Sequence, residues 1–219
     1  MNKNNFKLIS ELPNGFADRQ EEELLIRDLL ISNIKKIMLK YGFQYLETPS
    51  FEYTESIGKF LPDKDRPSEV VFSFEDEKKW LSLRYDLTAP LARYAAKNFD
   101  SLPRPFKRFQ LGTVWRNEKP GPGRFREFLQ FDSDYIVTNN LFSDSELCFL
   151  ISEILNSCGL EKSEFIIKVS NRKLSKGLLE KLNITDEQKQ SITLRAIDKL
   201  DRVGVEGVQY LLGKGRKDK

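Results

Sequence analysis

The sequence predicts a mixed α+β (α/β) domain with a mainly antiparallel sheet flanked by helices. Three observations carry that reading. Its β-patterned runs come mostly as neighbours joined by short polar turns, which is how antiparallel pairs are connected. Segments of helical periodicity lie between those runs. No glycine-rich phosphate loop of the Rossmann or P-loop kind is present, so a doubly wound nucleotide-binding sheet is not indicated. The 219 residues are 39% hydrophobic and 32% charged, enough apolar material for a core.

Residues 1–15 are polar and end in the turn signal Pro13-Asn14-Gly15. A helix is expected from about Asp18, with Leu24, Leu25, Leu29, Ile31, Ile34, Ile37 and Met38 at mixed three- and four-residue steps. Glu21, Glu22 and Glu23 favour its positive end, and Tyr41-Gly42 ends it. Phe43–Leu46 reads as a short strand closed by Thr48-Pro49. Residues 60–69 read as a loop. Val70–Phe74 and Trp80–Arg84 form a hairpin about the charged turn Glu75–Lys79. Thr88–Asn98 is a helix with Pro90 in its first turn, where proline is tolerated.

Phe106–Asn117 and Arg126–Val137 are strands around Gly121-Pro122-Gly123. A helix over Asp144–Cys158, a strand over Phe165–Val169 and helices over Lys173–Leu182, Asp186–Leu200 and Val205–Leu212 follow. The whole is expected to place about six strands in one sheet.

Composition excludes several chemistries. The net charge of +3 implies no broadly basic surface, so a nucleic-acid contact would need a local patch. The chain has no histidine, which removes histidine bases, triads and metal sites. Cys148 and Cys158 read as buried thiols in a reducing compartment, not a disulfide or zinc framework. The N-terminus lacks the apolar run of a signal peptide, and no stretch approaches the ~20 apolar residues of a membrane span. A cytoplasmic location is expected.

The stretch from Phe109 to Tyr135 concentrates the chemistry. Residues two apart on a strand share a face, so Arg116 and Glu118 point together. Phe128, Gln130, Asp132 and Asp134 form a second series. A hairpin would bring both series to one polar surface, with Gln130 and Asp134 beside Arg116. Taken alone, such a run of charges reads more readily as a solvated hairpin with incidental ion pairs. Asp86, two residues before Thr88, likewise reads first as a helix cap.

The pattern WRNEKPGPGRFREFLQFDSD closely resembles motif 2 of class II aminoacyl-tRNA synthetases in its histidyl form. The matching positions are Arg116, Glu118, Gly123–Phe128, Gln130 and Asp134. Leu83–Tyr94, LRYDLTAPLARY, resembles the family's histidine-binding segment. KYGFQYLETPSFE resembles motif 1, with Pro49, and PNGFADR the family's opening turn. SNRKL and LRAIDKLDR resemble later parts of the same half.

The resemblance implies a class II synthetase-like sheet and a histidine–tRNA ligase activity. It assigns Arg116 to the α-phosphate of ATP as the catalytic residue. Glu118 would accept the adenine amino group, Phe128 would stack on adenine, and Arg124 would reach the outer phosphates. Asp86, Thr88, Gln130 and Asp134 would hold L-histidine, with Leu87 contributing its backbone. ATP as substrate, Mg2+ among its phosphates and tRNA(His) as acceptor follow. A homodimer through the unit around Pro49, covering Phe43, Tyr45 and Phe51 in part, is also implied.

By the same resemblance, residues 1–212 form part of a catalytic domain bearing motifs 1 and 2. Residues 213–219 form a basic tail leading to an inserted region, with motif 3 and an anticodon-binding domain lying outside this chain. The expectation is therefore a fragment holding part of the ATP and histidine sites. A non-catalytic regulatory subunit of ATP phosphoribosyltransferase is the alternative, and the joint presence of Arg116, Glu118 and Arg124 with Asp86–Thr88 favours the synthetase.

Overall fold

The computed structural model describes residues 10–58 and 70–213. The loop expected over 60–69 and residues 214–219 of the basic tail therefore lie outside the described residues. The chain forms two compact units, 1–166 and 167–219, within the span expected as one partial domain.

In the first unit, α1 (Glu21–Lys40) starts with Glu21, Glu22 and Glu23 and ends with Lys40, complementing the helix dipole at both ends. Gly42 then adopts a left-handed φ of +75°, which glycine permits without a Cβ clash, and the chain reverses. Next come β1 (Gln44–Tyr45), β2 (Phe51–Tyr53), a single turn α2 (Thr54–Ile57), β3 (Ser73–Asp76) and β4 (Lys79–Leu83). Helix α3 (Thr88–Asn98) leads to β5 (Phe106–Trp115), β6 (Glu127–Ile136) and α4 (Phe142–Ser157).

The expected single sheet is divided. The described strands form two three-stranded sheets, ordered β1-β5-β6 and β2-β4-β3. β1 runs parallel to β5; the other pairings are antiparallel. The two sheets meet where the chain leaves β4: Arg84 N–H donates to Ser50 O at 2.9 Å and Trp115 N–H to Arg84 O at 3.1 Å. Beyond Arg84 the backbone turns to open α3, so the ladder cannot continue.

The β5–β6 hairpin separates core from site by alternation. Phe109 and Leu111, with Phe131 and Tyr135 across the ladder, face Ile37 and Met38 of α1 and Leu150 of α4. Burying each such side chain contributes about 1.5–3 kcal/mol. The opposite face carries Arg108, Gln110, Gly112 and Val114, paired with Asp134, Asp132, Gln130 and Phe128. Phe43 belongs to the core and is 1% exposed, so it is not available to a partner subunit; Tyr45 and Phe51 are exposed. Cys148 and Cys158 are half-buried free thiols, less enclosed than their apolar surroundings in sequence suggest.

The second unit is helical where described: α5 (Arg172–Lys181), α6 (Glu187–Ile197) and α7 (Leu200–Leu212). Asn171 and Asp186 cap α5 and α6 by accepting from Lys173 and Lys189 N–H. Gly204, with φ +68°, interrupts α7, which leaves 205–212 as the helical run expected from sequence. The strand expected over Phe165–Val169 does not form. β-propensity requires a neighbouring strand, and Ile166 and Val169 remain exposed with no ladder among the described residues.

Candidate active site

Arg116 leaves the end of β5 and lies between two aromatic rings. Its guanidinium carbon is 4.6 Å from the Tyr85 centroid and 5.0 Å from that of Phe128. Its Nε donates to Tyr85 O at 3.3 Å and its NH2 to Gln130 Oε1 at 3.1 Å. Arg116 and Gln130 thus share one face, as alternation requires. The Phe128 face turned toward Arg116 is occupied by the guanidinium.

The Tyr85–Thr88 segment crosses this face on several anchors. Arg84 is 6% exposed; its Nε donates to Thr113 O at 2.8 Å and its NH1 to Thr48 O at 2.7 Å. Gly112 makes room for it, since a Cβ there would lie 2.4 Å from Arg84 NH2. Leu87 is fully buried, and its carbonyl accepts from Arg108 NH2 at 3.0 Å. Asp86 accepts from Ala89 N–H at 2.9 Å, which is the cap reading of that residue. Thr88 is exposed at the opening of α3, and its hydroxyl donates to Asp132 Oδ2 at 3.4 Å.

Asp134 pairs with Arg108, not directly with Arg116: Oδ2 lies 3.0 Å from Arg108 NH2. Burial pushes the Asp134 carboxyl above its ordinary range; Arg108 opposes that shift, while Asp132 and Asp86 reinforce it. Burial likewise lowers the Arg108 guanidinium from its usual value despite the same acids. Desolvation therefore outweighs the pair's attraction on both sides. Asp86, Asp132 and Asp134 set acid around one buried arginine.

The β5–β6 loop turns on Gly123, whose φ is +67°. Arg124 projects from it, 66% exposed, with NH1 4.0 Å from Glu118 Oε2. An exposed pair at that distance holds the side chain only weakly. Glu118 also accepts from Tyr85 O–H at 3.2 Å. The base of the loop is fixed by the Pro13–Phe16 turn: Arg126 N–H donates to Gly15 O at 2.8 Å, and Arg126 Nε donates to Glu118 O at 3.0 Å.

The sequence profile described as Histidyl-tRNA synthetase matches residues 15–214. The chain belongs to this family. Over 216 residues it is 48% identical to histidine–tRNA ligase of Rhodopseudomonas palustris strain TIE-1, covering 97% of this chain and 42% of that protein. The crystal structure of histidyl-tRNA synthetase from Nostoc sp. PCC 7120 superposes with a TM-score of 0.80 at 28% identity, over 97% of this chain and 46% of that one. An ATP phosphoribosyltransferase regulatory subunit/histidyl-tRNA synthetase from Bacillus halodurans shares the fold, with a TM-score of 0.77 at 21% identity over 94% and 55%. The chain thus spans less than half the length of the curated relative it matches.

Within this histidyl-tRNA synthetase fold, sequence reasoning overlooked Asp132, Arg108 and Tyr85 as site residues. Asp132 accepts from both Gln130 and Thr88. Its signal was legible, because it stands in the same period-two series as Gln130 and Asp134. Arg108 lies on the same alternation counted back from Arg116, yet its pairing with Asp134 needs the hairpin register. Tyr85 had no signal beyond adjacency to Asp86. Among the described residues no group of three or more His, Cys, Asp or Glu side chains is placed to hold a metal ion. No helix among them is long and apolar enough to cross a membrane.

Proposed function

We propose that this chain carries the part of a histidine–tRNA ligase that binds ATP and L-histidine for adenylate formation. The observation that supports this reading is the 3.1 Å contact between Arg116 and Gln130. In this reading the contact joins the side chain that meets the α-phosphate to one that holds the amino acid, on one hairpin. The substrate carboxylate, ionised at neutral pH, attacks the α-phosphorus in line. A new oxygen–phosphorus bond forms, the bond to the bridging oxygen breaks, and pyrophosphate leaves. No protein base is required, so the lack of histidine is no obstacle. Arg116 offsets the charge that builds on the α-phosphoryl oxygens.

In this reading Glu118 accepts the adenine amino group and Arg124 meets the outer phosphates. Phe128 offers adenine its ring, either on the face away from Arg116 or after the guanidinium turns toward phosphate. ATP enters as its Mg2+ complex, with the ion carried on the phosphates. Histidine lies along β6. Its carboxylate points to Arg116, which puts the α-ammonium at Gln130 and Thr88 and the imidazole toward Asp134 and Asp86. Residues 1–212 then make up the motif 1 and motif 2 part of a catalytic domain, with tRNA(His) as acceptor. The exposed Tyr45 and Phe51 support a homodimer through the unit around Pro49. The likeness to the Bacillus halodurans protein concerns fold alone, and the joint presence of Arg116, Glu118 and Arg124 favours the ligase over a regulatory subunit.

The test is histidine-dependent exchange of pyrophosphate into ATP by the intact gene product. Arg116→Ala is expected to lower the exchange rate about a hundredfold to a thousandfold with a smaller effect on ATP binding. Histidine and ATP binding without exchange in the unsubstituted protein would move the assignment to the regulatory relative.

A further inference from the structure

Gln130 stands between a group that can only donate and one that can only accept. Arg116 has no acceptor atom, and a carboxylate has no hydrogen to give. Arg116 NH2 is 3.1 Å from Gln130 Oε1, and Gln130 Nε2 is 2.9 Å from Asp132 Oδ1. Turning the amide over would set N–H against N–H and oxygen against oxygen. The second carboxylate oxygen, Oδ2, takes the Thr88 hydroxyl hydrogen at 3.4 Å. Gln110, the ladder partner of Asp132, does not compete, because its amide is engaged with the Thr48 hydroxyl at 3.1 and 3.3 Å.

We propose that Asp132 is a positioning residue that sets the hydrogen-bond polarity of the amino-acid site through Gln130 and Thr88. The proposal rests on the ligase reading given above. With its hydrogen committed to Asp132, the Thr88 hydroxyl presents only lone pairs outward. Gln130 has one N–H on Asp132 and one lone pair on Arg116, and keeps a second N–H and a second lone pair. Thr88 therefore offers only acceptors to whatever lies over it and Gln130 adds one more, which suits an ammonium group, whereas a carboxylate or carbonyl would meet the Thr88 lone pairs. Asp132 need not touch the substrate. It selects which end of an amino acid lies here, leaving the carboxylate to turn toward Arg116.

Asparagine has the same shape but carries an N–H2 group. In Asp132→Asn the amide oxygen can still accept from Gln130, and the new N–H then faces Thr88. The Thr88 hydroxyl becomes an acceptor there and turns its own hydrogen into the site. The fold is retained while the polarity is lost.

The experiment measures binding of L-histidine, histamine, 3-(imidazol-4-yl)propanoate and ATP to the intact gene product. Titration calorimetry serves for the tight ligands and ligand-observed NMR for the weak ones. Asp132→Asn is expected to weaken L-histidine and histamine about tenfold, the scale of one hydrogen bond to a charged group. The propanoate, which lacks the amine, and ATP are expected to bind as before. Asp132→Ala, which leaves the Thr88 hydrogen without its acceptor, should show the same selectivity and decides the matter if Asp132→Asn does not fold. Equal weakening of all four ligands would assign Asp132 a merely structural role and overturn the proposal, as would unchanged L-histidine affinity. Failure of the unsubstituted protein to bind L-histidine at all would overturn the ligase reading on which the proposal stands.

Discussion

Arg108 and Asp134 face each other across the β5–β6 ladder at 3.0 Å, with the arginine fully buried and its Nε and NH1 without hydrogen-bond partners. Removing one member of a buried pair leaves the other charge uncompensated. Arg108→Met is therefore expected to destabilise the protein by about 3 kcal/mol or more. The carbonyl of Leu87 loses its donor in the same step. A shift in the urea midpoint at unchanged m-value would report it. Full retention of stability would mean that the pair is solvated and that Asp134 does not depend on Arg108.

The same pair makes a prediction about pH. The Asp134 carboxyl is raised above its ordinary 3.8, chiefly by burial. The native chain thus holds this proton more tightly than the unfolded chain does. The resulting contribution to stability is full below the unfolded value and is lost as pH rises through the raised native value. A cationic ligand needs the ionised form, so its affinity falls as pH drops toward that raised value, and binding pulls the carboxyl back down. Asp134→Asn should remove the part of the pH dependence of L-histidine affinity that arises above the ordinary carboxylate range from this carboxyl, leaving that of the ligand's own imidazole. An unaltered profile in calorimetry would exclude Asp134 as the titrating group.

Gly112 is expected to resist enlargement. An added Cβ would come within 2.4 Å of Arg84 NH2, and that guanidinium is held at Thr113 O and Thr48 O. Gly112→Ala should cost about 1–3 kcal/mol through overpacking. Since the clash is with one side chain, Gly112→Ala and Arg84→Met should not be additive. Thermal denaturation of the two single variants and the double variant measures the coupling. Additive effects would show that Arg84 yields without cost.

The partner surface can be tested at Phe51. It is exposed and packs edge to face on Phe74 at 5.5 Å, so a charge there should leave the subunit folded. Phe51→Glu is expected to convert a dimer to a monomer in light scattering, with the far-ultraviolet circular dichroism unchanged. A dimer that survives the substitution uses another face. Phe43, which the sequence alone placed on this surface, should instead unfold the subunit when made polar, because it sits in the core.

Much of the candidate site was legible in the sequence because strand alternation is strictly local. Arg116 and Glu118 on one strand, and Phe128, Gln130, Asp132 and Asp134 on the other, needed only a period of two. The helices α1, α3 and α4 were legible for a similar reason, since their apolar spacing and end charges repeat within a few residues. The cap at Asp86 followed from its place before Thr88.

What the sequence by itself determined, then, was the order of the elements, the faces of the hairpin and the family motifs set on them. The tertiary structure alone decided which residue each side chain meets. Register joined Asp134 to Arg108 and left Gln130 to Arg116. The turn after Gly42 sent Phe43 into the core, and the departure of the chain at Arg84 divided one expected sheet into two. The β-branched run at 165–169 found no neighbouring strand among the described residues. These outcomes depend on contacts between residues far apart in the chain. Local pattern constrains which face a side chain occupies, but pairing, burial and desolvation arise only when distant segments pack.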